Sequence, residues 1–218
     1  MFDGKSIVFF VRGIAGKPDD FLEWEQKAAD HCIITYGIPA RAISYHTDFW
    51  SVWMRRRFRA QRFAKVLRQY SIRDYRITTV AHSEGTVVAM DAMRLAGWPR
   101  VENVHLICGA CDSDFERSGL NRMLRAGQIG RVTCYTAGRD WAMRFENLIL
   151  GRVLFGISER TWPLGLVGPR NVSQMVAGRV VEVTDPPWKY YGHSTCFGGE
   201  NFEKTMRQIL GRQIRNQA

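Results

Sequence analysis

No stretch of this sequence is long and apolar enough to read as a membrane-spanning helix. The apolar run nearest the N terminus, Ile7-Val8-Phe9-Phe10-Val11, is short, follows Asp3 and leads into Arg12-Gly13. It reads as a buried strand and not as a signal peptide. With no export signal visible, the expectation is a cytoplasmic protein. Cysteine is sparse and odd in number: Cys32, Cys108, Cys111, Cys134 and Cys196. Neither the count nor the spacing fits a secreted disulfide scaffold, so reduced thiols are expected. Asn171-Val172-Ser173 fits a glycosylation sequon, which has no meaning without secretion. Internal repeats, low-complexity tracts and linkers are also absent. Residues 1–218 therefore read as a single domain, long enough to bury a core without staples.

Acidic residues are missing from one long segment. Between Asp48 and Asp74 there is none, and the whole chain carries 31 Lys and Arg against 21 Asp and Glu, a formal charge of +10. Such a balance favours contact with something anionic, such as nucleic acid, an acidic membrane face or a charged polymer, but it identifies no fold.

What is present is an alternation of short β-type runs with helical runs, the pattern of a mostly parallel α/β sheet. Strands are expected at Ile7–Val11, Arg41–Tyr45, Arg76–Val80, Val104–Cys108, Val132–Tyr135 and Val180–Val183. Pro18, Asp19 and Asp20 suit the first turn of a helix that carries Trp24, Ala28 and Ala29. A long helix, capped by Asp48 or Ser51, runs from Phe49 to about Tyr70, with Trp53, Ala60, Phe63, Leu67 and Tyr70 at helical spacing toward the sheet. Thr86–Ala96 is helical and is stopped by Gly97 and Pro99. Further helices are expected at Leu120–Ala126, at Trp141–Leu154 and around Phe202, Met206 and Leu210, with irregular chain over Gly156–Gly178.

The segment that carries chemistry is Ile77-Thr78-Thr79-Val80-Ala81-His82-Ser83-Glu84-Gly85-Thr86-Val87. A strand enters a small-x-Ser-x-Gly turn that opens directly into a helix, the context of a nucleophile elbow. Small residues two before and two after the serine let strand and helix approach closely. Ala81 stands where the usual pattern has glycine. The elbow aims the hydroxyl at the helix N terminus, where backbone N–H groups favour a developing oxyanion. Two later segments keep the order acid, then histidine. Gly138-Arg139-Asp140-Trp141 follows the fifth expected strand, and Tyr191-Gly192-His193-Ser194 follows the sixth.

On these residues nearly the whole chain resembles the α/β-hydrolase superfamily in its esterase and lipase style. The resemblance implies a sheet of about six strands flanked by helices on both faces, with a minimal lid or none. It also implies a triad of Ser83, His193 and Asp140 that cleaves a carboxylic ester through an acyl-enzyme. The substrate would be a small-molecule or lipid-like ester, and no metal or organic cofactor is called for. The oxyanion donors would be the N–H of Glu84 and an N–H of Ile14 or Gly13 in the loop after the first strand. Where the family often has His-Gly, this chain has Arg12-Gly13.

Plainer readings stand beside these. Ser83 could be an ordinary helix cap. Asp112 and Asp114, after the fourth strand, are rival acids. His82 is expected to be structural, and His31, His46 and His105 to be packed or exposed. Cys108-Gly109-Ala110-Cys111 could be a thiol redox pair, or half a zinc site with Cys196 and His193; two small thiols closing a buried strand is the simpler account. Arg55, Arg59, Arg62, Lys65 and Arg68 follow at steps of three or four and read as one face of the long helix. That face is either a surface for an anionic membrane or polymer, even on a catalytically silent scaffold, or a solvated side whose stems cover apolar surface. Trp141, Trp162, Trp188 and Gly156–Gly178 are candidate pocket walls.

Overall fold

A computed structural model describes residues 5–13, 24–44, 49–97, 100–137, 162–184 and 195–215. Six strands form one sheet: β1 (Ser6–Val11), β2 (Ala40–Ile43), β3 (Arg76–His82), β4 (Val101–Ile107), β5 (Ile129–Tyr135) and β6 (Val180–Val183). Their spatial order is β2-β1-β3-β4-β5-β6, and every pairing is parallel. The expected α/β class is what forms. Parallel strands need cover on both faces, and each strand carries apolar residues toward the cores, with polar residues interrupting the runs in β3, β4 and β5. In β1, Ile7, Phe9 and Val11 point into one core while Val8 and Phe10 point into the other.

The helices are α1 (Trp24–Tyr36), α2 (Phe49–Ser71), α3 (Gly85–Ala96), α4 (Leu120–Arg125), α5 (Leu164–Val167) and α6 (Gly199–Arg215). One face of the sheet is covered by Ala60, Phe63 and Leu67 of α2 together with Val88 and Met93 of α3. Phe9 meets Phe63 edge to face at 5.5 Å and Tyr70 at 5.3 Å. The other face is covered by Ala28, Ala29 and Cys32 of α1 and by Phe202, Met206 and Ile209 of α6. The helical start expected at Pro18 and the helix expected over Trp141–Leu154 lie outside the described residues. Within the stretch expected to be irregular, α5 forms, and Leu164 is buried in the core. Among the described residues, no helix is long and apolar enough to cross a membrane.

The strand order singles out one place at the C-terminal ends of the strands. From β1 the chain turns outward to β2, then returns to lay β3 on β1's other side. In open parallel sheets the crevice for ligands opens at such a reversal, beyond the C-terminal ends of the two strands. Here those ends are Val11, leading to Gly13, and His82, leading to Ser83.

Candidate functional site at the β1–β3 crevice

The turn between β3 and α3 has only two residues, Ser83 and Glu84. Ser83 takes the left-handed conformation, with φ of 54°. For a residue with a β-carbon this costs about 1–2 kcal/mol, so its surroundings must impose it. They do so through backbone hydrogen bonds. The Ser83 N–H donates to the Ile107 carbonyl at 3.0 Å. Its carbonyl accepts from the Thr86 hydroxyl at 2.7 Å, the Thr86 N–H at 3.0 Å and the Ala110 N–H at 3.2 Å. The Thr86 hydroxyl in turn accepts from the Cys111 N–H at 3.2 Å. The strained serine is thus tied to the end of β4 and to the loop beyond it.

Two glycines allow the close approach around it. A β-carbon on Gly85 would lie 2.5 Å from the Val11 carbonyl oxygen and 2.6 Å from that of Arg12. One on Gly13 would lie 2.8 Å from the Ser83 β-carbon and 3.2 Å from the Glu84 nitrogen. Gly13, Ser83 and Glu84, all named from the sequence, therefore come together. Ile14, Asp140 and His193 lie outside the described residues, as do Trp141, Trp188 and His46. The described chain beside the Asp140 and His193 segments is held by hydrogen bonds and packing. Before Asp140, the Ala137 N–H donates to Gly165 at 2.8 Å and that of Thr136 to Val183 at 3.1 Å. After His193, a 3-10 turn over Thr195–Phe197 stacks Phe197 on Trp24 at 3.8 Å. Both rings meet the buried His82 ring edge-on, at 5.4 and 5.9 Å. His82 packs as the sequence led one to expect, and so do His31, which lies 3.5 Å from Glu203, and His105, which lies 3.0 Å from the Tyr135 hydroxyl.

The rival carboxylates are engaged in their own loop. Arg117 grips Asp112 through two nitrogens, one at 2.9 Å. Asp114 accepts from the backbone N–H groups of Arg117 and Glu116 at 3.0 Å and from the Asn171 amide at 2.8 Å. The Arg117 backbone bond, with that from Asn171, holds the Asp114 carboxyl below its usual range.

The thiols are free and buried. Burial pushes the Cys111 pKa up to about 12, and Cys134 also rises well above its ordinary value. Cys108 belongs to the core on one face of the sheet and Cys111 to the core on the other. A redox dithiol needs an accessible, depressed thiolate, and this arrangement opposes one. Trp162, a candidate pocket wall, accepts the Ser113 N–H at 3.0 Å.

The basic face of α2 requires a correction. Arg59 is only 4% exposed and is not part of an outer stripe. A step of four residues turns about 40° past a full helical turn, and from Arg55 that rotation carries Arg59 toward the buried Ala60 and Phe63. Arg68 is spent on the end of α3, donating to the Ala96 carbonyl at 2.9 Å and to that of Leu95. Arg55, Arg62 and Lys65 stay exposed.

One feature beside the elbow has no signal in the sequence. Arg12 donates to Glu25 at 3.4 Å, and Glu25, 1% exposed in the first turn of α1, also accepts from the Ser44 hydroxyl at 2.8 Å. This cluster, a buried Arg12–Glu25 pair met by the exposed Ser44, ties the exits of β1 and β2 to α1, next to Gly13. The three residues are far apart in sequence, so no local pattern marks them. Comparison of the chain with protein-family models gives no match, and comparison with curated proteins gives none.

Proposed function

We propose that the chain is a serine hydrolase of the α/β-hydrolase type that cleaves a carboxylic ester, with Ser83 as nucleophile, His193 as general base and Asp140 as the acid that orients it. The observation that carries this reading is the backbone of Ser83, a non-glycine residue held left-handed in a two-residue turn at the C-terminal end of β3, where the strand order reverses. An ordinary helix cap does not require that strain, whereas a nucleophile elbow does. The covalent chain adds support. Thr195, two residues after His193 in sequence, opens the turn whose Phe197 packs on His82, the neighbour of Ser83.

In the mechanism, His193 takes the Ser83 proton as the oxygen attacks the acyl carbonyl. The imidazolium returns that proton to the departing alkoxide, leaving an acyl-enzyme. Water, deprotonated by the same imidazole, then releases the acid and restores the serine. The N–H of Glu84 and one from Ile14 or Gly13 would hold the oxyanion. The test is labelling by a fluorophosphonate probe. Modification of Ser83, lost in Ser83→Ala, supports the enzyme. A folded chain that neither labels nor turns over p-nitrophenyl esters of any chain length would be a silent scaffold.

A further inference from the structure

The outer face of α2 carries a feature that catalysis does not use. Arg55, Phe58, Arg62 and Lys65 follow at steps of three, four and three residues, so they lie on one helical face. All four are exposed, on the side away from Ala60, Ala64 and Leu67, which are buried against the sheet. Phe58 is 57% exposed at the centre of the face, with the Arg62 guanidinium 5.8 Å from its ring centroid. Among the described residues, no carboxylate pairs with Arg55, Arg57, Arg62 or Lys65, whereas Arg56 is held by Asp91 at 3.1 Å. The face therefore presents uncompensated positive charge around an apolar ring.

Topology gives the face its direction. α2 leaves β2 and feeds β3, and both strands are parallel to β1. The helix therefore runs back against the strands, and its N-terminal end lies on the side of the C-terminal strand ends, as Ser83 does. Arg55 and Phe58 belong to that half of the helix.

We infer that this face of α2 docks the protein on an anionic lipid surface. The three cations of this face, Arg55, Arg62 and Lys65, suit a layer of acidic headgroups, each strengthening partition about fivefold. The exposed ring suits the boundary between headgroups and acyl chains, where an aromatic group gains by leaving water. Duplex nucleic acid would satisfy the cations alike but leaves a central phenyl ring on a convex helix without a use. The inference does not depend on the hydrolase reading; if both hold, docking brings the crevice edge toward a lipid ester.

The test is co-sedimentation of the full chain with phosphatidylcholine vesicles and with vesicles containing 30% phosphatidylserine, at low and high salt. The wild type is expected to sediment with the acidic vesicles alone and to be released as salt rises. Arg55→Glu/Lys65→Glu together should weaken partition at least a hundredfold. Phe58→Ser should weaken it severalfold and leave the salt dependence unchanged. Circular dichroism checks that each variant is folded, and fluorophosphonate labelling of Ser83 should be the same in all, which separates this result from the hydrolase test. Failure of the wild type to sediment at low salt overturns the inference. So does equal binding by the charge-reversed variant, and so does tighter binding of a DNA or RNA oligonucleotide that Phe58→Ser leaves untouched.

Discussion

Gly13 and Ser83 pack so closely that nothing larger than a hydrogen fits between them: a β-carbon on Gly13 would stand 2.8 Å from that of Ser83 and 2.9 Å from the His82 carbonyl oxygen. Both obstacles are held, the serine by its backbone hydrogen bonds and His82 by β3. Gly13→Ala must therefore push the loop after β1 away from the elbow, at a cost of about 1–3 kcal/mol as an overpacked contact. The expected outcome is a fold that survives, with fluorophosphonate labelling of Ser83 slowed at least tenfold. Gly178→Ala is the control, because nothing lies within 4 Å of its added carbon. Equal labelling of both variants would show that the loop takes no part in the site.

For the proposed triad, Ser83→Ala and His193→Ala should each abolish ester turnover in a folded protein, because the members act as one unit. Asp140→Asn should lose orders of magnitude but less than either. Asp112→Asn and Asp114→Asn should be nearly silent in turnover, since their carboxylates serve Arg117 and the turn that follows. A severe Asp112 or Asp114 variant beside a silent Asp140→Asn would move the acid to the loop after β4.

The parts of this chain that were legible share a physical cause. Strands buried on both faces are written as apolar runs, and the elbow combines local residues with a local turn, so both show in sequence. Three strands were read short: β3 runs two residues past Val80 to His82, and two others begin early. β4 begins at Val101 and β5 at Ile129, three residues before the apolar runs expected there, because polar residues interrupt them. Val101 and Ile129 are nonetheless fully buried partners across the sheet. Arg59 was misplaced because steps of three and four do not hold one azimuth when they are not alternated. The Arg12–Glu25–Ser44 cluster was invisible because it exists only once three separate segments have folded together.

Ser83 also predicts a trade between stability and function. Glycine adopts a φ of 54° without the steric penalty that any β-carbon meets. Ser83→Gly should thus be more stable than Ser83→Ala by about 1 kcal/mol, a rise of roughly 2–4 °C in Tm for a chain of this size. Thermal melts of the two inactive proteins, side by side, check this. A lower Tm for the glycine variant would mean that the strain is not stored where the backbone places it.

The thiols should be inert in the native protein. A Cys111 pKa near 12 leaves a negligible thiolate fraction at pH 8, and Cys32 is raised to about 12 by burial as well. Iodoacetamide should leave the native chain unmodified and alkylate all five cysteines after denaturation. Rapid native alkylation at Cys108 or Cys111 with a midpoint near neutral pH would revive the redox reading.

The buried pair of Arg12 and Glu25 sets the last prediction. Neither side chain is more than 8% exposed, and the carboxylate receives its charge partner and the Ser44 hydroxyl on the same oxygen. Removing the guanidinium leaves a carboxylate in the interior with one hydroxyl for company. Arg12→Met should therefore destabilise the fold by about 3–5 kcal/mol, as breaking one side of a buried pair does. Removing both charges relieves that penalty, so Arg12→Met/Glu25→Leu should recover most of the loss, and the two substitutions should be far from additive. Urea melts of the four proteins measure the coupling. If the double variant instead loses the sum of the two single losses, the pair is not a unit. The loop carrying Gly13 would then owe its position to the Arg12 N–H bond to the Ile43 carbonyl and to the close packing of Gly13 and Gly85 at the elbow.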